Sequence, residues 1–266
     1  MKVLIVIPAR YPSTRYPGKP LVGLRGATGQ SRSLIQRTWE AGMAVKSADR
    51  VVVATDDDRV REAAEGFGAE VVLTSDKARN GTERCSEALS VLGGGYDIIV
   101  NLQGDAPLTP PWFIEELVSQ LDTHPTAEVA TPVLRCDGRA LKDFLSDRKE
   151  GRVGGTTAVF TRDRRALYFS KEVIPYTSED YGDDDPTPVF HHVGVYAYKP
   201  SALASYPLLK MGPLEQLEGL EQLRFLEHEH PMLCVQVEAR GHKFWELNNP
   251  SDVARIEAML KAMGVE

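Results

Sequence analysis

The sequence has little of what would classify it at a glance. Its 266 residues hold three cysteines, Cys85, Cys136 and Cys234, whose spacing suits neither a disulfide framework nor a metal site. They read as reduced thiols used for packing, which implies a cytoplasmic protein. Nothing approaches the roughly 18 consecutive apolar residues of a membrane span. The N-terminal run "VLIVI" is short, and no signal-peptide cleavage region follows it. An excess of basic charge is missing too: the net charge of −7 excludes the broad positive field of a nucleic-acid-binding protein. Neither G-x-x-x-x-G-K-S/T nor a G-x-G-x-x-G after a strand occurs. Gly23, Gly26 and Gly29 are spaced three apart and come too late, which disfavours a P-loop kinase or a dinucleotide-dependent dehydrogenase. Tandem repeats and low-complexity tracts are absent as well.

The chain does have enough length to bury roughly three quarters of the surface its unfolded form exposes, and its 42% hydrophobic and 26% charged content is ordinary for a globular protein. "KVLIVIP", "RVVVATD" and "AEVVLTS" are apolar, β-branched runs expected of strands covered on both faces. Helical segments alternate with them: "DDRVREAAEGFG", then "GTERCSEALSVLGGG", each closed by glycine. "YDIIVNLQGD" is a further strand. "TPPWFIEELVSQLD" reads as a helix with Thr109 as N-cap. This alternation predicts an α/β fold, a mostly parallel sheet flanked by helices.

In the second half, "TTAVFTRDRRALYFS" reads as two strands around a charged turn and "HHVGVYAYKP" as one aromatic strand. "PLEQLEGLEQLRFLEH" sets Leu214, Leu217 and Leu220 on a helical stripe continued by Leu223 and Phe225. The last helix has Asn249 as N-cap, Pro250 at N1, Asp252 at N3, and Val253, Ile256, Leu260 and Met263 inward. The expectation is one domain over residues 1–266, with a smaller arm or lid element around 150–212 and an acidic, turn-rich loop at 176–188.

Ligands of such sheets bind beyond the carboxyl ends of the strands. The polar tips "ARYPSTR", "TDD" and "QGD" therefore matter most. The first carries Arg10, Arg15 and Lys19 on a loop stiffened by Pro12, Pro17 and Pro20. Proline lowers the entropy lost on closing around a ligand. Arginine grips phosphate oxygens in pairs and lysine supplies a mobile point charge. Three cations match a nucleoside triphosphate tail. The competing reading is a solvated basic loop; the strand-end position favours phosphate.

With these segments in this order, the chain resembles the 3-deoxy-manno-octulosonate cytidylyltransferase (CMP-Kdo synthetase) family from about residue 3 to about residue 258. The opening motif indicates only the wider sugar nucleotidyltransferase group. "GTER", "QGDAP" and "LEQLR" are more specific. The resemblance implies a nucleotide-binding α/β sheet and attack of the anomeric hydroxyl of a 2-keto sugar acid on the α-phosphorus of CTP, with release of pyrophosphate. Positioning and charge stabilisation dominate such transfers. It further implies Mg²⁺, which binds through one or two carboxylates plus phosphates. It implies CTP and a small acidic sugar as partners, no nucleic acid or membrane, and a homodimer to which the strand at 191–198 contributes.

By the same resemblance Arg10, Arg15, Lys19 and Asp105 are catalytic. Ala9, Ser13, Gly81, Thr82, Arg84 and Gln103 join Arg10, Arg15 and Lys19 in nucleotide binding. Asp105 holds the metal, and Gly104 before it allows close approach of a ligand. Sugar contacts fall to Gln103, Lys171, His192, Tyr196, Glu221 and Gln222. Read without the family, Arg84, Glu221, Gln222, Glu215 and Glu218 are solvated helix residues, and His192 is a core or surface residue.

Four features depart from the family. Asn248 in "LNNP" stands where an Asp serves as second metal ligand, and it offers a neutral oxygen only. The nearest carboxylate in sequence, Asp252, suits a helix N3 role better. "RGATGQSRSLIQ" is longer and more polar than usual, with Arg25 and Arg32 either near phosphate or solvated. "RVGGTTAVF" replaces a segment that usually carries Lys, and Lys171 stands for Arg, losing bidentate carboxylate recognition. Two rival readings stand beside this one: a nucleotidyltransferase for another acidic sugar, sialic-acid-like, or another nucleotide, and a CTP-binding module with weakened catalysis.

Overall fold

A strand lined by Val and Ile on both faces needs cover on both faces, and the computed structural model provides it. It describes residues 1–12, 16–153, 155–242 and 245–266. In chain order the elements are β1 (Val3–Pro8), β2 (Gly23–Arg25), β3 (Ser31–Ser33), α1 (Leu34–Met43), β4 (Arg50–Thr55), α2 (Asp58–Gly66), β5 (Glu70–Leu73), α3 (Gly81–Val91), β6 (Ile98–Leu102) and α4 (Pro111–Thr123). There follow β7 (Val129–Asp137), α5 (Gly138–Lys149), β8 (Thr156–Phe160), β9 (Ala166–Ser170), β10 (Pro186–His192), β11 (Val195–Tyr198), α6 (Pro200–Ser205), α7 (Pro213–Glu218), α8 (Leu223–Glu227), β12 (Met232–Gln236) and α9 (Asp252–Met263).

The main sheet runs β5-β4-β1-β6-β11-β7-β10-β8-β9, and β12 pairs with β7 on its other edge. The half built from β5, β4, β1 and β6 is parallel, and β11 joins β6 antiparallel. Alternate residues of β1 feed two cores. Val3, Ile5 and Ile7 pack toward α4, while Leu4 and Val6 face the side of α3 and α6. Strand ends β1, β4 and β6 therefore emerge together on one rim, where the first half of the sequence concentrates its polar tips. In the second half β8, β9 and β10 extend the same sheet, and a bridge from Arg165 to Leu233 folds the β8–β9 hairpin back onto β12.

Several local expectations change. "HHVGVYAY" forms two strands, β10 and β11, split at Val193–Gly194, and β11 is bonded on both edges and wholly buried. It is therefore not available as a dimer surface. The acidic stretch 176–188 runs into β10, which begins at Pro186. The helix expected from Thr109 begins at Pro111, because the Thr109 hydroxyl turns back to the Ala106 carbonyl (3.0 Å) instead of capping it. The polar insertion "RGATGQSRS" builds the hairpin β2–β3, and Arg32 pairs with Glu40 at 2.9 Å. The last helix is regular only from Asp252, yet Asp252 Oδ2 accepts the N–H groups of Asn248 (2.9 Å) and Asn249 (2.7 Å), the reach-back expected of an acid at N3.

The leucine stripe holds only in its second half, where Leu220 packs against the core. The helix stops at Gly219 (φ 62°), leaving Leu217 83% exposed and Leu214 partly so. Leu223 and Phe225 are buried, but so are Glu215, Gln222 and Arg224. Charge pairing, not apolar periodicity, decides which face of this segment turns inward.

Candidate functional site

Gly18 has a φ of 71°, a left-handed conformation that glycine adopts without strain. Its N–H donates to the Tyr11 carbonyl (3.1 Å), and a 3-10 turn follows at Lys19–Leu21. Ala9 N–H donates to the Ala54 carbonyl (2.8 Å), which fixes the loop's start between β1 and β4. Gly104, after β6, is equally constrained: a Cβ there would meet the Pro8 carbonyl oxygen at 2.6 Å. Its absence lets the tip of β6 lie against the end of β1. The result is an ion pair between Lys19 Nζ and Asp105 Oδ2 at 2.7 Å, the side chains 18% and 24% exposed. Arg10 is exposed beside it. Ala9, Arg10, Lys19, Gly81, Arg84, Gln103 and Asp105 all line one cavity of about 220 Å³. Of the residues assigned to this region by resemblance, Ser13 and Arg15 lie outside the described residues.

One wall of the cavity is the start of α3. Asn80 caps it, its Oδ1 accepting the Glu83 N–H at 2.9 Å, and Gly81 and Thr82 follow. Arg84, which on its own reads as a solvated helix residue, is instead 3% exposed. It pairs with Asp56 of the "TDD" tip at 3.1 Å and donates to the Thr74 hydroxyl and the Ser75 carbonyl. A guanidinium held on one side by a carboxylate and a hydroxyl is oriented before any ligand arrives. Asp57, next in the tip, caps α2.

Of the sugar-binding candidates only Gln103 lines the cavity; His192, Tyr196, Glu221 and Gln222 lie outside its lining, the first two and Gln222 buried. Glu221 Oε2 accepts the Thr82 N–H (3.0 Å) and its Oε1 accepts Gln103 Nε2 (2.9 Å). Burial raises the Glu221 pKa, with hydrogen bonds from Thr82 and Gln103 opposing. Tyr196 OH donates to Gln222 Oε1 (3.1 Å). His192 Nε2 meets the Thr131 hydroxyl (2.8 Å) and stacks edge-on against Phe169. Gly81 serves a packing purpose here, since a Cβ would stand 2.8 Å from Gln103 Nε2. Lys171 stands apart from the cavity lining: its N–H donates to Glu218 (2.9 Å), and its ammonium lies against Gly219. Glu218 itself, read as solvated, gathers Tyr168, Ser170 and Lys171.

Sequence reasoning passed over Asn101. Both polar atoms of its side chain are buried without a hydrogen-bond partner, as is Nε2 of Gln222. Asn101 pairs in register with Tyr196 on β11 and sits under Gly81, its Nδ2 3.3 Å from that glycine's missing Cβ. An unpaired buried amide costs roughly 1–3 kcal/mol. The readable signal was a single polar residue inside the apolar run "DIIVNL".

The donor set at the strand tips suits a hard cation. Leu247 N–H donates to the Asp105 carbonyl (2.9 Å), which brings Asn248 beside the tip of β6. A carboxylate and a neutral amide are the kinds of donor that Mg²⁺ takes when it is bound chiefly through nucleotide phosphates. Asp252 is spent on backbone N–H groups and on Trp245 Nε1. Glu246, whose Oε2 lies 3.5 Å from the Asn248 amide nitrogen, is a second carboxylate in this segment.

His192 gives the site a pH signature. Burial, and then the neighbouring His191, lower its pKa from 6.5 to about 3. Unfolding releases a histidine that binds its proton more readily, so this contribution is present above pH 6.5 and is lost as pH falls toward 3. Replacing His192 by Gln flattens the loss of melting temperature between pH 6.5 and pH 4, measured by scanning calorimetry. Equal slopes in the two proteins contradict the assignment.

Cations and a carboxylate at the strand ends of an α/β sheet, around a cavity that Gly81, Arg84 and Gln103 also line, suit an anionic ligand. The sequence matches the cytidylyltransferase family over residues 4–232, and the chain belongs to that family. It is 41% identical over 264 residues to the 3-deoxy-manno-octulosonate cytidylyltransferase of Maricaulis maris (strain MCS10), covering 99% of each chain. It is 39% identical over 263 residues to the 8-amino-3,8-dideoxy-manno-octulosonate cytidylyltransferase of Shewanella frigidimarina (strain NCIMB 400), covering 98% of this chain and 99% of that one. A solved structure of CMP:2-keto-3-deoxy-manno-octonic acid synthetase complexed with CTP superposes with a TM-score of 0.82 at 30% identity, over 99% of this chain and 100% of the other.

Proposed function

We propose that the protein transfers CMP from CTP to the anomeric hydroxyl of 3-deoxy-manno-octulosonate or its 8-amino analogue, releasing pyrophosphate. The observation that carries this reading is the Lys19–Asp105 pair at the mouth of a cavity walled by Gly81, Arg84 and Gln103. Full-length similarity to cytidylyltransferases for both sugars supports it. In the reaction the anomeric oxygen forms a bond to the α-phosphorus while the bond to the leaving pyrophosphate breaks. Lys19 and Arg10 hold phosphate oxygens, and Lys19 exchanges Asp105 for the triphosphate. Asp105 and Asn248 would hold Mg²⁺, which supplies charge neutralisation at the phosphates. Arg84, held by Asp56, faces the base with the backbone of Gly81 and Thr82. Glu221, Gln103, Tyr196 and Gln222 accept from and donate to sugar hydroxyls, and the unpaired Asn101 amide and Gln222 Nε2 match a ligand rich in hydroxyl groups.

The test incubates purified protein with Mg²⁺, CTP and each sugar acid, following pyrophosphate. Release with either octulosonate and CTP, and not with UTP, dTTP or GTP, is expected. Release only with a sialic-acid-like sugar moves the substrate; no release with any acid removes the enzymatic reading. Asn248→Asp restores a charged ligand and is expected to tighten Mn²⁺ binding in the presence of CTP by about tenfold, read by electron paramagnetic resonance. Unchanged affinity places Asn248 away from the ion.

A cytoplasmic homodimer completes this reading. Among the described residues no helix is long and apolar enough to cross a membrane, and Leu208 and Leu217 are 84% and 83% exposed. Sedimentation at the mass of two chains is expected.

A further inference from the structure

The two most distinctive sequence segments, "GTER" and "LEQLR", meet through one buried side chain. Arg224 is 0% exposed. Its Nε and Nη2 each donate to the Glu215 carboxylate at 2.7 Å, and its Nη1 donates to Glu83 at 3.0 Å. The guanidinium lies 4.2 Å over the ring of Tyr206. Tyr206 OH in turn donates to the Glu221 carbonyl (3.0 Å) and accepts from the side chain of Asn80, the cap of α3.

The partners differ in how firmly the rest of the fold holds them. α3 has eleven residues, a cap, and buried contacts through Cys85, Ala88 and Leu89 with the sheet. α7 and α8 have six and five residues, separated by a left-handed glycine. Helices this short have little stability of their own. Glu221 and Gln222 lie in the turn between them.

We propose that Arg224 is a positioning residue: by clamping Glu215 and Glu83 it holds Glu221 and Gln222 against the start of α3, and so sets affinity for the sugar acid without touching it. The assignment rests on the functional reading above. A buried ion pair often contributes no more stability than well-packed apolar side chains would, so geometry is the effect to measure.

The test compares the wild type with Arg224→Lys, which keeps the charge and loses the planar fork, and with Glu215→Gln, which keeps the Glu83 contact. Arg224→Lys is expected to raise KM for the sugar acid about tenfold or more, with KM for CTP changed less than about twofold, because a small misplacement of binding groups is costly. Glu215→Gln moves the same constant in the same direction, less far, and answers the question if Arg224→Lys does not fold. Hydrogen exchange gives a readout independent of turnover. The Thr82 amide, bonded to Glu221, exchanges at least about tenfold faster in the variants while amides of β6 do not change. Both KM values unchanged, with Thr82 exchange also unchanged, overturn the proposal. A wild type without turnover removes the functional reading and leaves the exchange result to decide the role of Arg224.

Discussion

Asp105→Asn lowers turnover by roughly 10²- to 10³-fold, the usual loss when one preorganised charge is taken from a reacting centre, while the melting temperature changes by no more than a few degrees. The two halves of this expectation come from the same contact. Asp105 sits at the tip of β6, where Gly104 lets it reach Lys19 at 2.7 Å. Both side chains keep some contact with solvent, and partly exposed ion pairs contribute about 0–1 kcal/mol to folding. The pair is therefore cheap for stability. In the proposed reaction its use lies in exchange, with Lys19 moving to phosphate and Asp105 to the divalent ion. Lys19→Met should lose activity on the same scale and raise KM for CTP, since in the proposed reaction it removes a phosphate contact as well. Initial rates and calorimetry on the purified variants check both. A stable Asp105→Asn protein turning over at the wild-type rate contradicts the role.

Glu221→Gln has the second largest expected effect and the opposite pattern of stability. Both carboxylate oxygens accept hydrogen bonds, from Thr82 and from Gln103. An amide in the same shape turns one acceptor into a donor facing another donor. On the proposed reading the carboxylate also accepts a sugar hydroxyl, and a hydrogen bond to a charged group contributes about 1.5–3 kcal/mol, which corresponds to a rise in sugar KM of roughly ten- to a hundredfold. KM for CTP should hold. Burial raises the Glu221 pKa above its unfolded value of 4.5. A raised carboxyl contributes stability that is present below the unfolded pKa and is lost as pH rises through the folded pKa. The wild type therefore loses stability relative to Glu221→Gln as pH climbs above 4.5. Melting curves of the two proteins at pH 4.5, 6 and 7.5 measure this; a difference independent of pH contradicts the burial argument.

The parallel half of the fold is legible because its strands are uninterrupted β-branched runs and its helices end in glycine. The position of the site follows from the same pattern, since ligands of such sheets bind beyond the strand ends and the tips there are polar. The rest depends on partners that periodicity does not encode. β7 escapes notice because Pro132 breaks the apolar run; its missing N–H is tolerated while its carbonyl accepts the Val193 N–H. β2 and β3 are short, polar and without alternation. The leucines at 214 and 217 have helical spacing and still face solvent, because Arg224 and Glu215 outcompete them for the interior. Arg84 looks like any surface arginine until the "TDD" tip brings Asp56 to it. Lys19 and Asp105 are both visible as candidates, but 86 residues separate them, and only the close approach at Gly104 makes them a pair.

The central claim is that the rim formed by the ends of β1 and β6 cradles the nucleotide. A crystal structure of the protein with CTP and Mg²⁺ tests it most directly. The expected result places phosphate oxygens within hydrogen-bond distance of Lys19 and Arg10, a divalent ion on Asp105, and cytosine beside Gly81, Thr82 and Arg84. Triphosphate bound away from this rim, with the Lys19–Asp105 pair intact, would contradict it.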